Sequence, residues 1–178
     1  MSEEVQIALA GNPHVGKSTI FNALTGARQH VGNRPGKTVA KKAGTLRLDD
    51  CNVTIVDLPG TYSLSACSLE EQIARDYIMR SRPSLVINVV DSCNLERNLY
   101  LTAQLLDAGT PLLLALNMID IAGERSISID SERMQQRLGM PVVALAANRG
   151  HGIGELRRTL IRMLVQRQQL YLAREIAA

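Results

Sequence analysis

VQIALA at 5–10 followed by GNPHVGKS at 11–18 is the stretch that decides the fold. A short apolar run, a glycine-containing turn and a helix starting near Lys17 give strand, turn and helix in the order that Gly-x4-Gly-Lys-Ser requires. In that setting the turn of Gly11, Asn12, Pro13, His14, Val15 and Gly16 wraps a phosphate with its backbone N–H groups, Pro13 excepted, and the helix dipole favours the anion. Lys17 then bridges β- and γ-phosphate oxygens, the Ser18 hydroxyl is a Mg²⁺ ligand, and Thr19 closes the phosphate-binding set. A chance glycine-rich turn is the alternative, and it would carry neither flank.

Outward from this loop, short apolar runs alternate with longer amphipathic stretches, the pattern of a largely parallel sheet covered by helices. Residues 26–38 (GARQHVGNRPGKT) are polar and Gly-containing and read as a long loop. VAKKAGTLRL (39–48) and NVTIV (52–56) read as a hairpin, SLVINVV (84–90), LLLALN (112–117) and VVALA (142–146) as buried strands. With 5–10 these make six strands. Ser68 and Glu71 form a capping box that opens a helix over roughly 69–80. Asn94 caps a helix through 108 with Leu95, Leu99, Thr102 and Leu106 on one face, and Gly109 and Pro111 end it. Asp130 caps a short helix closed by Gly139 and Pro141. The chain ends in one long helix over 152–176, with Leu156, Leu160, Met163, Leu164 and Leu170 inward. The expectation is a single α/β domain over 1–178, with a core at about 5–156 and helices on both sheet faces.

Three further positions carry chemistry. DLPG (57–60) follows a core strand, at the end where ligands bind in open α/β sheets. Asp57 would hold Mg²⁺ through water, Leu58 and Pro59 shape the turn, and the Gly60 N–H could reach the γ-phosphate. NMID (117–120) ends the strand LLLALN; Asp120 can accept from guanine N1–H and the 2-amino group, which adenine cannot supply, and Asn117 would tie this loop to the phosphate loop. In the loop 26–38, Thr38 is the residue to close over the nucleotide, its hydroxyl on Mg²⁺ and its carbonyl on the attacking water, with Gly36 beside it. Lys17, Thr38 and Gly60 are thus the catalytic set; Ser18, Thr38 and Asp57 are the metal set.

Together these residues resemble a translation-factor-class GTPase of the P-loop, Ras-like kind. GNPHVGKSTIFNALTG, RQHVGNRPGKTV, VDLPGTYSL and NVVDSCNLERNLYLTAQLL narrow the resemblance to the N-terminal G domain of the FeoB ferrous-iron transporter family, from about Ile7 to Leu156. NLERNLYL is not demanded by GTP chemistry, so it separates this family from other small GTPases. The resemblance implies GTP and GDP as ligands with Mg²⁺. It also implies slow hydrolysis that drives or gates Fe²⁺ uptake, a following helical regulatory domain and membrane permease, and a place on the cytoplasmic face of the bacterial inner membrane. It further implies that Ala147, Asn148 and Arg149 present a backbone N–H to guanine O6. Three residues depart from GTPase patterns: Met118 replaces the usual lysine, Thr61 stands where Ras-like enzymes place a water-orienting Gln, and His14 replaces the family Asn associated with K⁺. The last makes K⁺ dependence doubtful.

Composition limits the other readings. Among 178 residues, 46% are hydrophobic and 21% charged, an ordinary globular balance in which no apolar run reaches the roughly 18 residues of a membrane helix. The acidic N-terminus, MSEEVQIALAG, lacks the basic lead of a signal peptide, so the expected compartment is the cytosol. A net charge of +3 and only five aromatic residues (four Tyr, one Phe) leave little with which to bind nucleic acid. Three cysteines without CxxC spacing indicate neither zinc nor disulfides. Homo-oligomerisation is compatible with the sequence. Two other functions stay open at this point: a nucleotide-occupancy switch with negligible hydrolysis, and a ribosome- or tRNA-associated GTPase of the same superfamily.

Overall fold

A computed structural model of the chain describes residues 5–26, 29–31, 42–48 and 51–176. The sheet has seven strands in the order β2-β3-β4-β1-β5-β6-β7. They are β1 (Gln6–Gly11), β2 (Gln29–Val31), β3 (Lys42–Leu48), β4 (Cys51–Asp57), β5 (Leu85–Asp91), β6 (Leu112–Asn117) and β7 (Val142–Ala144). The helices are α1 (Lys17–Thr25), α2 (Leu69–Asp76), α3 (Leu95–Asp107), α4 (Ile119–Glu124), α5 (Ser131–Leu138) and α6 (Ile153–Ile176). β4, β1, β5, β6 and β7 run parallel. β3 and β2 extend the sheet antiparallel beyond β4.

The apolar runs are central because both of their faces are covered. Alternate residues of β1 and β5 feed two cores. Ile7, Leu9, Leu85, Ile87 and Val89 pack with Phe21 and Leu24 of α1 and Leu156 and Leu160 of α6. Ala8, Ala10, Val86 and Val90 pack with Leu101 and Leu105 of α3 and Ala74 of α2. Helices therefore lie on both faces, as the βαβ pattern requires. α6 also fixes the phosphate-loop helix from behind: Arg157 Nη2 donates to the carbonyls of Ala23 and Leu24, each at 3.0 Å. That cation meets the open carbonyls at the C-terminal end of α1, where the dipole favours it.

The six expected strands are present, and a seventh, β2, lies in the stretch read as loop. It has three residues and no apolar alternation to betray it. The helix expected over 69–80 is α-helical to Asp76 and continues as a π turn, Tyr77–Ser81, before Arg82 takes a left-handed φ of 43° ahead of Pro83. Ser68 caps α2 as expected, its Oγ accepting from Glu71 N at 3.1 Å. α3 is rotated from the expected face: Leu101 and Leu105 are buried whereas Leu106 is 39% exposed, and Leu95 and Leu99 are only partly covered. Two polar residues cause the offset. Asn98 is buried because its amide donates to Asn94 O and accepts from Asp91 N, and Thr102 because its Oγ1 accepts from Asn88 Nδ2 at 2.6 Å. Asn94 is not the side-chain cap; Asp91 accepts from Cys93 N instead, and the Asn94 amide donates to Asp91.

α4 was not expected. Asp130 caps α5 by accepting from Arg133 N, and Gly139 ends it in a left-handed conformation. β7 stops at Ala144, two residues short of the expected end, because Ala146 turns to bridge His151. Met163 and Leu164 are partly covered on α6; the side chain of Leu170 lies outside the described residues.

Candidate nucleotide site

Parallel pairing puts the C-terminal ends of β1, β4, β6 and β7 on one edge of the sheet, so the loops at 11–18, 57–60, 117–120 and 146–150 share that edge. The phosphate loop is held there by backbone. Thr61 N donates to Gly11 O at 3.1 Å, and Leu58 N to Leu9 O at 3.0 Å. A Cβ at Gly60 would lie 3.0 Å from Pro13 Cα, so the DLPG turn and the phosphate loop touch through a glycine. Gly16 has φ +88°, and a Cβ there would run into Asn117 Nδ2. Any side chain at Gly16 would break both the turn and the contact.

Three residues from two elements, α1 and β4, converge beside this loop. Lys17 Nζ lies 3.6 Å from Asp57 Oδ1, and Ser18 Oγ donates to Asp57 Oδ2 at 3.5 Å. Burial pushes the Asp57 carboxyl above the usual carboxylate range, against the opposing charges of Lys17 and then Lys42. A desolvated carboxylate with an adjoining hydroxyl is an oxygen-donor set of the kind Mg²⁺ takes, and Asp57 Oδ1 accepts no hydrogen bond within the protein. Asn12 is also buried, with neither amide atom bonded within the protein. His14 sits exposed on the loop in the left-handed region, φ 67°.

Asn117 joins the phosphate and base loops. Its Nδ2 donates to Val15 O at 2.9 Å, and its Oδ1 accepts from Ala147 N at 3.0 Å. The side chain is buried across this bridge. Asn117→Ala removes both bonds and leaves two buried backbone groups unmatched. The expected loss is about 2–4 kcal/mol of unfolding free energy, read from urea denaturation; a loss within 0.5 kcal/mol, roughly that of an ordinary surface change, would refute the bridge.

Asp120 lies in the first turn of α4, preceded by Met118 at φ 63°. Its carboxylate is met by Arg149 Nε at 2.9 Å. Of the three residues expected to offer an N–H to guanine, Ala147 donates to Asn117 and Arg149 N donates to Ala146 O, which singles out Asn148. Thr61 turns its hydroxyl to Ser63 O at 2.7 Å, and Ser63 in turn donates to Glu71 Oε1 at 2.8 Å. Glu71 Oε2 also accepts from Cys67 N, so one carboxylate organises the whole segment after DLPG. These contacts hold the Glu71 carboxyl below its usual range, the Ser63 bond foremost. Gly36 and Thr38 lie outside the described residues. Sequence reasoning assigned Glu71 only to the helix cap and missed the side chain of Arg149 altogether; neither partner is near in a way that spacing could reveal.

The sheet order and the loops at its C-terminal edge define the class: a nucleotide-binding G domain of the P-loop NTPase fold. The family model for ferrous iron transport protein B matches residues 5–160, and the chain belongs to that family. The Fe(2+) transporter FeoB of Salmonella typhimurium is 53% identical over 164 residues, 90% of this chain and 21% of that protein. The chain thus spans about a fifth of the length of the curated relatives it matches. Among solved structures, the FeoB G-domain of Methanococcus jannaschii is 47% identical with a TM-score of 0.80, over 90% of this chain and 97% of that one. A GDP-bound variant of S. thermophilus NFeoB is 45% identical with a TM-score of 0.81, over 87% and 61%. Among the described residues, no helix is long and apolar enough to cross a membrane.

Proposed function

We propose that this chain binds GTP with Mg²⁺, hydrolyses it slowly, and by doing so drives or gates Fe²⁺ uptake by a membrane permease in the same polypeptide, on the cytoplasmic face of the membrane. The observation that carries the nucleotide reading is the convergence of Lys17, Ser18 and Asp57 beside a loop that Asn117 ties to the base-reading segment. The transport reading is supported by the relatives' names and by the share of their length this domain occupies.

Lys17 would compensate charge on the β- and γ-phosphates, and the backbone around Gly16 and Lys17 would hold the β-phosphate at the start of α1. Ser18, Asp57 through water, and Thr38 would hold Mg²⁺, which neutralises charge developing on the phosphate oxygens when bound. The Thr38 carbonyl would hold the attacking water and the Gly60 N–H would reach the γ-phosphate. Asp120 would read the guanine edge, with Met118 covering the purine face apolarly and Asn148 N–H reaching O6. Thr61 offers nothing to the water, since its hydroxyl already donates to Ser63.

Residues present at the family's K⁺ position do not fit that ion. A neutral imidazole at His14 offers one nitrogen in place of a carbonyl oxygen, and a protonated one repels a cation. Isothermal calorimetry should show GTP binding far more tightly than ATP. Phosphate release should run at a rate on the order of 10⁻³ per second and rise less than about twofold when Na⁺ is exchanged for K⁺ at equal ionic strength. His14→Asn should restore K⁺ sensitivity. ATP binding as tightly as GTP would refute the base assignment; strong K⁺ stimulation of the unmodified protein would point to another oxygen, with Asn12 the first to test.

A further inference from the structure

The two oxygens that would read guanine are both shielded from solvent, although neither accepts an aligned hydrogen bond. What stands against them is the guanidinium of Arg149, with Nε 2.9 Å from Asp120 Oδ2 and Nη2 3.4 Å from Glu124 Oε1. The turn that carries Arg149 is fixed from below: Ala147 N donates to Asn117, Arg149 N to Ala146 O, and Gly150 N to Ala147 O. Only the side chain is free to leave. It is 62% exposed against 10% for Asp120.

The chemistry of the contact is that of the base itself. Guanine offers Asp120 a planar N–C–N edge with N–H donors at N1 and the 2-amino group, and a guanidinium offers the same planar edge with a positive charge. We propose that Arg149 is an internal competitor of guanine for Asp120, a latch that the base must displace, and thus a residue that sets guanine-nucleotide affinity. The proposal rests on the guanine reading of Asp120. The latch is an ion pair open to solvent on its arginine and glutamate sides, so its strength is modest and salt weakens it.

A latch of this kind acts by reducing the fraction of molecules competent to bind. The test is stopped-flow binding of N-methylanthraniloyl-GDP with Mg²⁺ to the unmodified chain, Arg149→Ala, Glu124→Gln, Asp120→Asn and the double variant Arg149→Ala/Asp120→Asn. Arg149→Ala should associate about 3- to 10-fold faster at low salt with its dissociation rate unchanged, and Glu124→Gln should show part of that gain. The gap to the unmodified chain should narrow as NaCl rises from 0.05 to 0.5 M, since the Debye length shrinks to a few ångströms. Measured with the xanthosine analogue, Arg149→Ala should add nothing once Asp120 is Asn, because a neutral amide no longer holds the guanidinium. Unchanged or weaker binding in Arg149→Ala, or a change confined to dissociation, would overturn the latch; the base reading survives that result if Asp120→Asn still switches to xanthine. Retention of guanine preference by Asp120→Asn would overturn both.

Discussion

Asp120→Asn is expected to lower GTP affinity by about 10⁴-fold, and to make xanthosine triphosphate the better ligand. The carboxylate is buried in the first turn of α4, and its charge there is favoured by the helix N-terminus. Guanine's N1–H and 2-amino group need two acceptors in that place. An asparagine of the same shape turns one acceptor into a donor, which faces the 2-amino donor of guanine and leaves two donors opposed without water between them. Xanthine carries an oxygen at that position and accepts from the amide. Nearly equal size means the fold should persist, so the change should appear in calorimetric titrations with the two triphosphates and not in the melting curve. A variant that still prefers GTP would place the base elsewhere.

Asp120 and its neighbours could be read from sequence because each functional group there sits at the end of an apolar run. LLLALN and residues 7–10 of VQIALA are buried on both faces, and NVTIV is buried at Val53, Ile55 and Val56, so each run ends at the edge of the sheet. Once these strands ran parallel, the loops carrying Lys17, Asp57 and Asn117 shared one sheet edge, where Lys17 meets Asp57 and Asn117 bonds to Val15. Where the reading failed, polar contacts had replaced hydrophobic ones. The stripe expected on α3 runs through Leu106, yet Asn98 and Thr102 satisfy their hydrogen bonds inside, and Leu106 is left partly exposed. β2 is three residues paired antiparallel with β3, and its sequence, QHV, has no apolar signature. α4 is six residues, too short for periodicity to register. The Arg149–Asp120 contact and the double use of Glu71 were illegible for another reason: each depends on where a loop turns after its strand ends, and no spacing rule encodes that.

Lys17→Ala is expected to weaken GTP binding by about 10²–10³-fold, the cost of removing one partner from a buried charged contact. The effect should reach beyond the ligand. Lys17 is the strongest charge opposing the upward push of burial on Asp57, and its ammonium lies 3.6 Å from that carboxylate. Without it, the folded-state pKa of Asp57, already above the ordinary aspartate value of 3.8, climbs further. A carboxyl whose pKa is raised on folding binds its proton more tightly in the native state, so the unfolded chain releases the proton first as pH rises. Stability is then lost across a window that opens near 3.8 and closes above the folded-state pKa. In Lys17→Ala that window extends to higher pH than in the unmodified protein. Urea denaturation of both chains between pH 4 and 8 should show their stabilities diverging with rising pH and then running parallel, the variant below. A separation independent of pH would mean that Lys17 does not govern the Asp57 proton. Lys17→Ala binding GTP within tenfold of the unmodified chain would remove the phosphates from this loop.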